Sequence, residues 1–379
     1  MLGAGTERLT AGDNRSGLGD WHTMLLRLAG TLPDDLICEA RSWLAEGGLV
    51  DVAQAIGFAA ATGRVPVLGQ DAELMAGELQ AAGEDDELIS ALERLKDGAS
   101  QHLPWIFSST DPRRPEGVQG PLDLTLALEQ QAQDELDRVM VSAARAEIGL
   151  IAVWRSWRAP ADGSPWPTPR LLFVVQAAAP LEPHDLPAVT ARLQAALSAA
   201  GEPDPQVEVC GQATMVPAYQ SNACARGALI WTSEPTAPVR MARVFDSVDP
   251  EHGPLFDENH PRIDDLDEVI ALLRYLGDGL PVLTTSVTMA DVLDPERPEV
   301  VPLTFRTDGR WVWTDTITYY LERYGLAPEP ELLYHLQLAK NSEPDVSDVA
   351  LHRVLSMLQR PTESKTVWTV PAARPGIPK

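Results

Sequence analysis

Cysteine is scarce in this chain: Cys38, Cys210 and Cys224 are the only three in 379 residues. They are far apart, odd in number and form no Cys-x-x-Cys pair, which excludes a disulfide framework or a zinc site of the usual spacing. No run approaches the roughly eighteen uninterrupted apolar residues of a membrane helix. The first residues, MLGAGTERLTAGDNRSG, are polar and lack the apolar centre of a secretory signal. Gly-x-Ser-x-Gly, His-Glu-x-x-His and phosphate-loop patterns are missing as well. These absences predict a cytoplasmic, reducing location, no membrane partner, no cofactor and no motif-borne catalysis.

Basic side chains are the next shortage. Thirty Lys and Arg stand against 55 Asp and Glu, a formal net charge of −25. The deficit is spread along the chain: 7 basic against 17 acidic in 1–97, 10 against 15 in 98–240, 13 against 23 in 241–379. A uniform acidic field repels phosphate backbones, so the expectation is no nucleic-acid partner and, if anything, a basic protein partner. Abundant Ala, Arg, Pro and Asp with few Lys is the composition of a GC-rich bacterial genome.

What is present is an ordinary globular hydrophobic content of 44%. Residues 1–19 read as disordered. Apolar residues at helical spacing, punctuated by Gly47-Gly48, Gly63 and Gly83, predict an acidic helical bundle over 20–96. The Pro, Gly and Ser of 97–121 predict a linker. The pattern then predicts an α+β module over 122–236. It comprises a helix over 122–147, strands at 148–157, 170–177, 206–210 and 227–231, and a helix over 185–200. A second α+β module over 237–360 carries a hairpin and three C-terminal helices, and 361–379 is a Pro-rich tail around TVWTV. The fold class expected is α+β: an N-terminal all-α bundle followed by mixed α/β sheet modules with C-terminal helices.

The segment 302–326, PLTFRTDGRWVWTDTITYYLERYGL, is the most structured-looking stretch. Asp308-Gly309 reads as a two-residue turn, which opposes Thr307 to Arg310, Arg306 to Trp311, Phe305 to Val312 and Thr304 to Trp313. One face then carries Leu303, Phe305 and Val312, the other Trp311, Trp313 and Arg306. Two arrangements follow: an exposed aromatic-cationic binding face, since Trp and Arg are frequent interface anchors, or tryptophans packed under the next helix. That helix starts after Thr314 or Asp315 and stops at Gly325.

Two further groups bear chemistry. In WRSWR, Trp154, Arg155, Trp157 and Arg158 suit a grip on an acidic or phosphorylated ligand, or an outer sheet face with solvated arginines and inward tryptophans. The acidic loop 246–265 offers His252, Asp257 and His260 as metal ligands, without the spacing of a known metal motif. The function expected is a protein-interaction component: an adaptor, an assembly part or an immunity-like inhibitor. The alternatives are a metal-assisted hydrolase or transferase using the 246–265 loop, and a small-ligand sensor coupling an α+β pocket to the bundle.

Overall fold

A computed structural model describes residues 10–84, 86–95, 103–114, 122–126, 129–212, 215–249, 253–297 and 299–359. The chain is α+β and divides into two compact units, residues up to Thr236 and residues from Ala237. The tail 361–379 lies outside the described residues, as does most of 97–121.

The first unit opens with five helices: α1 (Thr10–Leu28), α2 (Asp34–Glu46), α3 (Leu49–Gly63), α4 (Gly69–Ala82) and α5 (Asp86–Leu95). Thus α1 begins inside the stretch whose composition predicts disorder. Gly47 and Gly83 end α2 and α4 in the left-handed conformation that a side chain resists. The bundle core is Trp21, Met24, Leu28, Ile37, Leu44, Ile56, Met75 and their neighbours. Across it the Arg27 guanidinium on α1 pairs with buried Asp71 on α4.

The sheet of this unit has six strands: β1 (Trp105–Ser108), β2 (Leu122–Asp123), β3 (Leu150–Pro160), β4 (Arg170–Ala177), β5 (Gln206–Gly211) and β6 (Ala228–Thr232). The order is β2-β6-β3-β4-β5, with β1 also paired to β3. Residues 105–108, inside the predicted linker, are therefore part of the sheet. Three helices belong to it: α6 (Glu135–Ala146), α7 (Leu186–Ala199) and α8 (Ala218–Arg226). The helix expected over 122–147 is shortened because Asp134 and Asp137 form a reciprocal capping box that starts α6 at Glu135. Helix α8 is absent from the sequence expectation.

Both faces of this sheet are covered, which explains the unbroken apolar run of β4. Leu171, Phe173 and Val175 join Met140 of α6 and Leu193 and Leu197 of α7 in one core. Leu172 and Val174 point the other way, to Leu26 of α1, Ala29 just beyond it, and Tyr219 and Ala223 of α8. Helix α1 also reaches the end strand: His22 Nε2 donates to the Val209 carbonyl at 2.7 Å.

The second unit is built on a four-stranded sheet of order β10-β13-β14-β7, from β7 (Arg240–Met241), β10 (Leu280–Leu283), β13 (Phe305–Thr307) and β14 (Trp311–Thr314). Two small ladders join β8 (Ser247–Asp249) to β9 (Gly253–Leu255) and β11 (Thr288–Met289) to β12 (Val301–Pro302). Helices α9 (Leu266–Asp278), α10 (Asp315–Tyr324), α11 (Pro330–Ala339) and α12 (Asp348–Gln359) complete it. Gly325 stops α10 in the left-handed region with φ 66°, and Leu326 beyond it is buried.

The hairpin register differs from the expected one by two residues. Thr307 faces Val312, Arg306 faces Trp313 and Phe305 faces Thr314. The connection is longer because the Asp308 carboxylate Oδ1 accepts from the amides of Arg310 (2.9 Å) and Trp311 (2.8 Å), so β13–β14 pairing begins only at Thr307 and Val312. A shift of two keeps every side chain on its expected face. Arg306, Trp311 and Trp313 do share one side.

Candidate functional site

That side is the core. Trp313 is fully buried and Trp311 nearly so, among Leu272, Leu276, Ile317, Leu332 and Leu336. The Trp313 indole donates to the Leu276 carbonyl at 3.2 Å. The expected aromatic binding face is therefore corrected: α9, α10 and α11 cover it, and neither tryptophan is a contact surface.

The WRSWR arginines are corrected too, for both arrangements the pattern allows. Arg155 and Arg158 are neither ligand clamps nor solvated, because each is buried and paired with a carboxylate of the same unit. Arg155 Nη1 pairs with Asp137 at 2.5 Å and Nη2 donates to the Ser109 carbonyl at 3.0 Å. Arg158 grips both oxygens of Asp34, at 2.9 and 2.6 Å, donates to the Tyr219 hydroxyl at 3.0 Å and lies 4.2 Å over the Trp105 ring. Trp154 is buried. Trp157 is half-buried on the α6–α7 side, with the Arg113 guanidinium 5.2 Å over its ring. Charges this enclosed persist because each is paired.

Of the expected metal residues, His260 is engaged on both sides within the fold. Its Nδ1 lies 2.7 Å from Asp246 Oδ2 and its Nε2 lies 2.9 Å from the Ala327 carbonyl. Both ring nitrogens thus face oxygen partners within the fold. Burial pushes the Asp246 carboxyl up, but the Asp257 amide and His260 hold it below its usual range. The Asp257 side chain is exposed, and His252 lies outside the described residues. Among the described residues no group of three His, Cys, Asp or Glu is arranged for a metal ion. Burial raises the Cys38 thiol to about 11 and the Cys210 thiol to about 12, away from the thiolate form.

Of the expected residues that the structure describes, Arg306 lines an opening. Helix α9 ends at Asp278, Gly279 makes the turn, and β10 begins at Leu280. Gly279 fits there because it lies flat against Trp313; a Cβ would come within 2.3 Å of that ring. Arg306 Nη1 donates to the carbonyls of Gly277 (3.0 Å) and Gly279 (3.1 Å), and its Nε to Asp315 Oδ1 (2.7 Å). It thereby ties the end of α9 to the start of α10, as cation and carboxylate suit those ends. Its Nη2 makes no hydrogen bond among the described residues. An open groove of about 330 Å³ runs past this point, with Leu280, Pro281 and Arg306 on it and Pro344 and Val346 also lining it.

Beside the groove, β10 is an end strand: it pairs with β13, and no other described strand pairs with it. Leu280 and Leu283 on it are exposed at 38% and 53%. The hairpin turn is held by a second hub that sequence patterning misses. Asp308 Oδ2 accepts from the Tyr275 hydroxyl at 3.0 Å and from His335 Nε2. Burial raises the Tyr275 phenol, which stays a donor. Only the folding of α9 and α11 onto the turn brings these three together.

Comparison with protein-family models, with curated proteins and with solved structures finds no match for this chain.

Proposed function

We propose that the chain is a protein-interaction component whose second unit takes up an extended peptide along the free edge of β10. The observation that carries this reading is that edge itself. It is an end strand with exposed Leu280 and Leu283, bordered by a groove with an apolar lining from Pro344 and Val346. Edge backbone supplies hydrogen bonds to any added strand, and side-chain pockets supply choice among strands. Arg306 Nη2 is a donor left over for a peptide carbonyl. Residues 241–359 carry 9 basic and 22 acidic side chains, which favours a ligand with basic flanks. The partner class is an apolar, strand-forming segment in a basic context.

Fluorescence anisotropy with a panel of labelled strand-forming peptides, basic-flanked and acidic-flanked, tests the reading. The expected result is binding of the basic-flanked set, lost in Leu283→Lys, since lysine on an edge discourages strand addition. The variant's melting temperature serves as the folding control. Binding that ignores the variant, or no binding by any peptide at 100-fold excess over protein, overturns it.

A further inference from the structure

We infer that the first unit has an internal hydration site: Arg41 of α2, Glu208 of β5 and Gln220 of α8 together hold buried water where the helical bundle meets the sheet. The site is independent of the β10 edge and lies in the other unit.

One carboxylate oxygen is the hub. Glu208 Oε2 accepts from Arg41 Nη2 at 2.6 Å and from Gln220 Nε2 at 2.9 Å. Gln220 Nε2 also donates to the Leu26 carbonyl of α1 at 2.8 Å. Four elements, α1, α2, α8 and β5, therefore converge on this point. All three side chains are enclosed, with 1% exposure for Arg41 and 0% for Glu208 and Gln220. The bonds at the hub use only part of what these groups offer. Arg41 Nε and Nη1, Glu208 Oε1 and Gln220 Oε1 have no hydrogen-bond partner among the described residues. Each belongs to the same guanidinium, carboxylate or amide as an atom bonded at the hub, so donors and acceptors crowd one small volume. His22, one turn before Leu26 on α1, is also buried and has an unpartnered Nδ1.

Three properties of the site select water. The guanidinium offers donors while the carboxylate and amide oxygens offer acceptors, so the ligand must both accept and donate. The charges of Arg41 and Glu208 cancel, so the ligand is neutral. The enclosure of all three side chains shuts out larger molecules. Buried water satisfies polar groups in this way. Leaving them unpaired costs each one more than an ordinary hydrogen bond contributes, which a marginally stable fold does not tolerate several times over at one point.

A high-resolution crystal structure of the full chain, with and without a bromide soak, tests the inference. The expected result is ordered density at hydrogen-bond distance, roughly 2.7–3.2 Å, from an Arg41 nitrogen and from Glu208 Oε1 or Gln220 Oε1. A dry site overturns the inference, whether the polar atoms stay unpaired or turn to bond one another. An anomalous bromide signal at that position assigns an anion and overturns it too. In solution, nuclear Overhauser transfer from water to the Arg41 guanidinium protons is expected in wild type, and its absence overturns the inference. Arg41→Met/Glu208→Met replaces the ion pair with apolar side chains, an exchange that folds often tolerate. The density is expected to be lost in that variant, and density that persists there overturns the assignment to these side chains.

Discussion

Arg158 and Asp34 lie 124 positions apart and meet as a two-pronged ion pair, Nη1 to Oδ1 at 2.9 Å and Nη2 to Oδ2 at 2.6 Å. One stands on β3 of the sheet, the other at the first residue of α2. The pair joins the helical bundle to the sheet within the first unit. Around it Trp105, stacked under the guanidinium, donates its indole N–H to the Gly30 carbonyl at 2.6 Å, and Gln206 donates to the Asp34 carbonyl at 3.0 Å. A deeper pair, Arg41 Nη2 to Glu208 Oε2 at 2.6 Å, repeats the link out of reach of bulk solvent. The bundle is thus held to the sheet by specific polar contacts as well as by apolar burial.

Asp34→Ala leaves Arg158 enclosed and without its carboxylate. The expected loss is roughly 3 kcal/mol, toward the lower end for a broken buried pair because Asp34 is partly solvated. Arg158→Met combined with Asp34→Ala loses less, since no orphan charge remains. Urea unfolding of the two variants measures both values, and a single-variant loss below about 1 kcal/mol contradicts the assignment.

His22 predicts a pH dependence. Burial lowers its pKa from 6.5 to about 4, partly opposed by its bond to the Val209 carbonyl. The folded chain therefore binds fewer protons than the unfolded one between these values, so stability is full above pH 6.5 and falls as pH drops toward 4. The full effect is about 3 kcal/mol at 1.36 kcal/mol per unit. Unfolding free energies of wild type and His22→Gln at pH 7 and pH 4 isolate it: the wild-type advantage shrinks by about that amount. Parallel pH profiles contradict a buried neutral imidazole.

Gly30 has φ +76° and an ideal Cβ there comes within 2.3 Å of the Tyr219 ring; Gly47 has φ +83° and open space. Gly47→Ala therefore costs only the backbone term, about 1 kcal/mol. Gly30→Ala adds a clash with a ring locked by Arg158, for roughly 2–4 kcal/mol in all. Equal thermal shifts in the two variants contradict the close approach of Tyr219 to Gly30.

The sequence carried the α+β class and several helix stops because those are local. Helical stripes, the Asp265 cap of α9, and glycines at 47, 83 and 325 act within a few residues of where they stand. Even the hairpin faces were legible, since a two-residue register error leaves alternation intact. The turn itself was not, because it depends on the Asp308 carboxylate bonding amides two and three residues ahead rather than on the Asp-Gly pair alone. Of the expected site residues that the structure describes, Arg306 lies at the groove, and its role there depends on carbonyls 27 and 29 residues away.

By itself, then, the sequence determined the alternation of Arg306 with its neighbours, the acidic balance, the helix stops and the strand-forming runs. All of these follow from backbone chemistry and composition within a short window. The tertiary structure decided which faces meet water. Trp311 and Trp313 are core because α9, α10 and α11 happen to cover them; Arg155 and Arg158 are internal because Asp137 and Asp34 arrive from other elements. Burial belongs to the element that covers a side chain, and no periodicity in the covered strand states which element that is.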